Sequence, residues 1–268
     1  MQDAGYSQSR NLRLPECRIL HPDLPHTLFI SDLHLSATHP ESLAVFLRFI
    51  ETQATQADAL YILGDFFEYW AGDDDLDDPF HQQIIQGLRK LSAQNTRILI
   101  MHGNRDLLIG KAMVDACGAI LLPDPTLIDL YGIPTLLSHG DILCTDDVEY
   151  QNFRKQVHSG EFQSEFLAKP LSKRRAYIEQ LRQQSNLKKQ TKDAAIMDVN
   201  QNAVTCLLRD YHYPRLIHGH THRQNFHEHL VDGHLCQRWV LGDWDTHGYA
   251  LRIDDSDSNQ APRFISLS

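Results

Sequence analysis

Five short apolar runs, each ended by a glycine or a tight turn beside Asp, Asn or His, constrain this chain more than any other feature. Thr27-Leu28-Phe29-Ile30 runs into Ser31-Asp32-Leu33-His34, and Leu60-Tyr61-Ile62-Leu63 into Gly64-Asp65. Ile98-Leu99-Ile100-Met101 ends at His102-Gly103-Asn104-Arg105-Asp106, and Thr135-Leu136-Leu137-Ser138 at His139-Gly140-Asp141. Arg215-Leu216-Ile217 ends at His218-Gly219-His220-Thr221-His222. Continuous apolar runs of this length fit strands buried on both faces. Between them, Leu43, Phe46, Leu47 and Ile50 recur at helical spacing, and a second helix is predicted over about 81–91. The pattern predicts an α/β fold. Such folds collect ligands at the carboxyl ends of their strands, so the five ends should converge on one exposed rim.

The 268 residues can bury a substantial core in one large domain or two small ones. Residues 1–25 are polar and carry Pro15, Pro22 and Pro25, which predicts a weakly ordered extension ahead of a domain over 26–268. Twenty-five Lys and Arg against 35 Asp and Glu give a formal net charge of −10. That balance argues against general nucleic-acid binding. Five scattered cysteines, odd in number and without CxxC spacing, predict a reduced, cytosolic protein. No apolar run approaches the ~18 residues of a membrane span, and no signal-peptide core is evident.

The strand ends offer a cation Asp32, His34, Asp65, Asn104, His139, His220 and His222. This mixed oxygen and nitrogen set, without thiolate, suits Mn, Fe, Co or Zn. Seven ligands are too many for one small ion with an open position, but they suit two ions sharing Asp65. Two metals ~4 Å apart stabilise the entering and leaving oxygens of a phosphoryl displacement and bring the pKa of water towards ~7. Arg105, next to Asn104, should reach a phosphate oxygen rather than only pair with Asp106. Asp106 and Asp141 are candidates to orient the imidazoles, or else plain turn and cap residues. Asp65 and His139, read as exposed rim residues, should tolerate alanine without unfolding. Cys144 reads as a small buried apolar residue.

In order, D-x-H, G-D, G-N-R-D, a later His and G-H-x-H resemble the calcineurin-like metallophosphoesterase superfamily. Gly103-Asn104-Arg105-Asp106, the run His139-Gly140-Asp141-Ile142-Leu143-Cys144-Thr145-Asp146-Asp147, and the run Ala195-Ile196-Met197-Asp198-Val199-Asn200-Gln201 are similar to its UDP-2,3-diacylglucosamine pyrophosphatases. The resemblance implies a two-sheet β sandwich flanked by helices, with two divalent ions, Mn2+ foremost. It implies hydrolysis of the substrate pyrophosphate to UMP and 2,3-diacylglucosamine 1-phosphate, a step of lipid A biosynthesis, peripheral to the cytoplasmic face of the inner membrane. Asp32, His34 and His222 would hold one metal, Asp65 would bridge, and Asn104, His139 and His220 would complete the second. Asn104, Arg105 and His220 would serve catalysis. Asn104, Arg105, Asp147, Ser185, Lys192 and His220 would touch the substrate. Lys189, which replaces the family's amide one turn after Ser185, is added as a contact. No obligate protein partner is implied.

The strand pattern is interrupted at about 150–200 by a stretch that reads as helices. Residues 153–192 hold ten Lys or Arg and three Glu, a local +7 that leaves −17 for the rest of the chain. Phe162, Phe166, Leu167, Leu171, Ile178 and Leu181 recur at helical spacing among these charges. A basic amphipathic element of this kind is read as a lid for an acylated, anionic substrate at a membrane surface. The alternatives are a solvated face over ordinary core, a dinuclear-metal phosphodiesterase or phosphatase acting on a soluble nucleotide or phosphoprotein, and a non-enzymatic scaffold. The scaffold should have lost ligands, and none is lost.

Overall fold

The computed structural model describes residues 25–189, 198–244, 247–255 and 261–267, with side chains of the first stretch to 185. The expected N-terminal extension, up to residue 24, lies outside them. The five apolar runs form strands β1 (His26–Ile30), β2 (Ala59–Leu63), β3 (Arg97–Met101), β6 (Ile133–Ser138) and β7 (Arg215–His218). Alongside them run β4 (Ala119–Leu122), β5 (Thr126–Leu130), β8 (Asn225–Val231), β9 (His234–Val240), β10 (Gly248–Asp254) and β11 (Arg263–Leu267). One sheet has the order β11-β10-β1-β2-β3-β4 and the other β5-β6-β7-β9-β8. Neighbours among β1 to β4 are parallel, as are those among β6, β7 and β9, while β5, β8, β10 and β11 are antiparallel.

The two faces of β2 explain why its run is continuously apolar. Successive side chains point to opposite faces of a strand. Leu60 and Ile62 join one cluster with Phe46 of helix α1 (Pro40–Thr52), Leu88 of α2 (Pro79–Ala93) and Met113 of α3 (Lys111–Cys117). Tyr61 and Leu63 turn the other way, to Leu137, Ile217 and Trp239 of the second sheet. The outer face of that sheet gives Leu136 and Leu216 to Val204 and Leu208 of α7 (Gln201–Asp210), beside Cys144. The molecule is therefore a two-sheet sandwich flanked by helices.

Asp78 caps α2 by accepting from Phe80 N at 2.9 Å. Asn200 caps α7, and its side-chain amide also donates to Asp146 at 2.8 Å, joining the two runs that carry the pyrophosphatase likeness. The interruption folds as α4 (Val148–Val157), α5 (Gly160–Leu167) and α6 (Leu171–Lys189).

Candidate metal centre

Parallel pairing sends the carboxyl ends of β1, β2 and β3 to one edge of the first sheet, and those of β6 and β7 to one edge of the second. The backbone is strained where the candidate ligands leave these strands. Asp32, His34, Asp65, His220 and His222 have φ of 56, 48, 49, 69 and 59°. L-residues adopt this left-handed region rarely, at about 1–3 kcal/mol each. Hydrogen bonds between segments hold it: Asp32 N to Gly64 O at 3.1 Å, His34 N to Asp65 O at 3.0 Å, and Gly219 N to His139 O at 2.9 Å. The carboxylates contribute too. Asp32 Oδ2 accepts from His220 N at 2.8 Å, and Asp65 Oδ1 from Arg105 N at 2.8 Å. Two glycines are required here. Gly64 has φ +88°, and a Cβ on it would lie 2.6 Å from His139 Nδ1. A Cβ on Gly103 would overlap the Asp65 carboxylate and backbone N.

The predicted donors gather in two groups, Asp32-His34-His222 and Asp65-His139-His220, with the donor atoms of each within 4.8 Å of one another. Asp65 faces both: Oδ2 is 3.9 Å from His34 Nε2 and Oδ1 is 3.7 Å from His139 Nε2. Asn104 Oδ1 adds to the second group, 3.2 Å from His139 Nε2. His34 and His222 bring their Nε2 atoms to 3.3 Å. The set fits two divalent ions. Asp32 Oδ1 is buried without a hydrogen-bond partner, and the oxygen and imidazole donors match borderline cations.

Asp65 and His139 are 2% and 0% exposed, which corrects the expectation of an exposed rim: both sheets cover it. Burial opposes charge on Asp32, but His222, with Nε2 3.4 Å from Oδ1, and the other nearby imidazoles hold its carboxyl well below the usual range. Burial likewise opposes charge on His139 and His222, yet carboxylates prevail. Asp65, Asp32 and Asp141 raise His139 to about 9, and Asp243 and Asp32 raise His222 to about 10. Burial lowers His220 to about 4.

Asp106 and Asp141, candidates either to orient imidazoles or to serve turns and caps, hold loops and helix α4. Among the described residues Asp106 has no hydrogen bond with an imidazole; its carboxylate accepts from Phe66 N and Gly103 N at 2.7 and 2.8 Å, tying the β2 and β3 loops together. Asp141 accepts from Tyr150 Oη and Arg154 Nε, both at 2.7 Å. Tyr150 in turn stacks on His220, with ring centroids 5.8 Å apart. His139 Nδ1 meets Leu63 O at 2.9 Å, His222 Nδ1 meets Asp243 at 3.1 Å, and His34 Nδ1 lies 3.2 Å from Glu68. Glu68, Tyr150 and Asp243 are thus supporting residues that the motifs do not reveal. Each is a single residue outside the spacing that marks a ligand.

A cavity of about 570 Å³ opens from this centre beneath α4 to α6. His34, Asp65, Asn104, Arg105, His220 and His222 line its floor, with Asp147 and Ser185 on its walls. Asp147 also caps α4, accepting from Tyr150 N at 3.0 Å. Arg105 lies 3.6 Å from Glu68, not in a pair with Asp106. Phe162, Phe166, Ile178 and Leu181 of the predicted stripe line the cavity, joined by Phe153, Val157 and Tyr177. Leu167, at 43% exposed, and Leu171 do not line it. The Lys189 side chain and all of Lys192 lie outside the described residues.

The basic stretch is not a uniformly solvated face. Arg174, 2% exposed, donates to Ala71 O and Asp74, and Arg175 pairs with Asp75 and Asp78. Arg182 pairs with Glu68 at 2.7 Å. The acidic segment near 73–78 is where the basic insertion docks.

A UDP-2,3-diacylglucosamine hydrolase of Aromatoleum aromaticum is 49% identical over 237 residues, covering 88% of this chain and 96% of the relative. The enzymes of that name from Edwardsiella ictaluri and Escherichia coli are 49% and 45% identical, covering 85% and 86% of this chain and 88% and 96% of their own. The model of the calcineurin-like phosphoesterases matches residues 25–224, a span that supplies every donor gathered at the rim. The chain belongs to the calcineurin-like phosphoesterase family.

Proposed function

We propose that this chain hydrolyses the pyrophosphate bond of UDP-2,3-diacylglucosamine, giving UMP and 2,3-diacylglucosamine 1-phosphate. The observation that carries this reading is the continuity of the donor cluster with the apolar cavity under the helical insertion. A two-chain lipid needs apolar wall within reach of the reacting phosphate, and a soluble nucleotide does not. The names of the relatives support the same substrate.

Asp32, His34 and His222 would hold one divalent ion, Asn104, His139 and His220 the other, and Asp65 both. When bound, the pair supplies Lewis acidity to phosphoryl oxygens and makes water a nucleophile near neutral pH. The chain does the rest. Arg105 gives a planar guanidinium to a phosphate oxygen, released from its long contact with Glu68. His220, on the cavity floor, contacts the reacting phosphate, and Asp147, Ser185, Lys189 and Lys192 serve sugar and phosphate. The buried carboxylates of Asp32 and Asp65 accept from the backbone N–H groups of His220 and Arg105, so that the donors need not reorganise during reaction. Phe162, Phe166, Ile178 and Leu181 receive acyl chains, each buried methylene contributing up to ~0.8 kcal/mol. In this reading Mn2+ is the resident ion, and the insertion is a lid that meets the cytoplasmic face of the inner membrane. No helix among the described residues is long and apolar enough to cross a membrane.

Purified protein should release UMP from UDP-2,3-diacylglucosamine with Mn2+ and none with chelator. In oxygen-18 water the label should enter UMP, marking attack at the phosphorus nearest uridine. Turnover of soluble phosphodiesters alone would favour the second reading, a soluble-nucleotide phosphodiesterase.

A further inference from the structure

Glu68 belongs to none of the metal motifs, yet it sits where three functional parts meet. Leu35 N donates to Phe66 O and Glu68 N to Leu35 O, both at 3.0 Å, across a short parallel bridge between Leu35 and Phe67. That bridge sets Glu68 beside His34. Its Oε2 stands 3.2 Å from His34 Nδ1. Its Oε1 accepts from Arg182 of α6, at 2.7 Å from one terminal nitrogen and 3.0 Å from Nε, and lies 3.6 Å from Arg105. The carboxylate is only 17% exposed, and the Arg182 guanidinium also lies over the Tyr69 ring at 5.8 Å.

We propose that Glu68 is a positioning residue that couples the seat of the helical insertion to the metal centre, orienting His34 through one oxygen while Arg182 holds the other. A carboxylate is a rigid plane, so a pull on Oε1 fixes where Oε2 points. The remaining ion pairs described between α6 and the acidic turn, those of Arg174 and Arg175, stop at Asp74, Asp75 and Asp78. Of the ion pairs described for α6, Arg182 with Glu68 is the one that reaches a group touching a candidate ligand, while α4 reaches the rim separately through Tyr150, stacked on His220. Seating α6 therefore also sets the tilt of the His34 ring. Carboxylates behind a ligand imidazole fix its orientation and raise its basicity, and their loss weakens metal binding by about 10–100-fold.

The inference rests on the two-metal phosphoesterase reading but not on the lipid substrate. Its test is Mn2+ titration of the metal-free full chain, followed by electron paramagnetic resonance, for the native protein, Glu68→Gln, Arg182→Gln, Arg182→Lys and the double variant. Hydrogen exchange across 171–185 is read on the same samples. Glu68→Gln should weaken Mn2+ binding about 10–100-fold, and Arg182→Gln about twofold or more, with Arg182→Lys restoring part of the loss. In the Glu68→Gln background, Arg182→Gln should add nothing to the loss of affinity. Exchange across α6 should rise in both single Gln variants. Unchanged Mn2+ affinity in Glu68→Gln, or losses that multiply independently in the double variant, would overturn the coupling. Should Glu68→Gln fail to fold by circular dichroism, Arg182→Gln decides alone, and unchanged Mn2+ affinity there overturns the proposal. None of these readouts uses the lipid, so an error in the substrate leaves the result standing.

Discussion

The metal rim and the helical insertion face each other across one cavity and are built on opposite principles. At the rim, Asp32, Asp65 and His139 are 0–2% exposed, and Asp32 and Asp65 sit in strained backbone stitched by main-chain hydrogen bonds from two sheets. In the insertion, α4 and α5 bury only Val157 and Phe166 among their side chains. Val148, Phe153 and Tyr177 are 64, 39 and 39% exposed, and α6 is fastened by arginine–carboxylate pairs. The rim is fixed by backbone that a side-chain change elsewhere does not move. The insertion is held by side chains, so its surface can adapt to a flexible ligand. Damage to the first should end the chemistry on every substrate, and damage to the second should select among substrates, except at Arg182, which reaches the rim through Glu68.

The largest effect is expected from Asp65→Ala. The change removes the carboxylate that faces both donor groups and leaves buried, raised-pKa His139 without its first carboxylate partner. Breaking a buried pair costs about 3–5 kcal/mol. Urea unfolding of the metal-free variant should therefore show a loss of that size, together with abolished hydrolysis of both lipid and small phosphodiester. An unchanged midpoint would mean that the rim relaxes more easily than its burial implies. Gly103→Ala should come next. Its Cβ would overlap Asp65 and push the β2 and β3 loops apart, and a displacement near 1 Å costs about 10²-fold in rate. Both substrates should suffer equally; a loss confined to the lipid would place the strain in the cavity wall instead.

The same contrast explains what the sequence discloses. Strands β1, β2, β3, β6 and β7 are legible because burial on two faces makes them continuously apolar and because their ends carry the donors. Strand β8 (Asn225–Val231) is not, since Asn225, His227, Glu228 and His229 at a sheet edge leave no strand pattern. The donors are legible as short spacings within single loops. Their supports are not, because Glu68 and Asp243 meet His34 and His222 only after distant loops fold together. Asp106 shows the limit from the other side: its place beside Asn104 suggests an imidazole partner, yet two loops in need of amide acceptors claim it first. The positive stretch at 153–192 is visible in composition. That its arginines dock onto the acidic turn is a pairing across about a hundred residues, which composition does not encode.

A smaller and more selective effect is expected from Phe162→Ser. Phe162 lines the cavity and stacks on buried Phe166, with centroids 5.7 Å apart and planes at 9°. Aromatic pairing of this kind contributes about 0.5–1.5 kcal/mol beyond area, so kcat/KM for the diacyl substrate should fall about tenfold. Turnover of bis-p-nitrophenyl phosphate, if accepted, should be unchanged. Equal losses on both would show that the insertion braces the rim rather than selecting acyl chains.

The smallest effect, and the sharpest on the rim alone, is proton release on metal binding. Burial disfavours a charged His139 or His222, but facing carboxylates raise them to about 9 and about 10, while buried His220 is lowered to about 4. At pH 7 the metal-free chain therefore carries protons on His139 and His222 and none on His220. Metal ligation needs neutral imidazole. Leu63 O, an acceptor only, keeps a proton on His139 Nδ1, and Asp243 does the same for His222. Each ring must then lose its Nε2 proton, and about two protons should leave per chain on loading. The sign for stability follows. With folded pKa values above the unfolded value near 6.5, these histidines stabilise the metal-free fold fully below about pH 6.5, and that contribution fades as pH rises through about 9 to 10. The loaded protein runs the opposite way, since acid competes with the ions for the same nitrogens. Calorimetric Mn2+ titration at pH 7 in two buffers of different ionisation enthalpy measures the release, and urea midpoints of metal-free and loaded protein against pH should diverge towards alkaline pH. Release of no protons would mean that the carboxylates, rather than imidazolium charge, are neutralised another way in the metal-free rim.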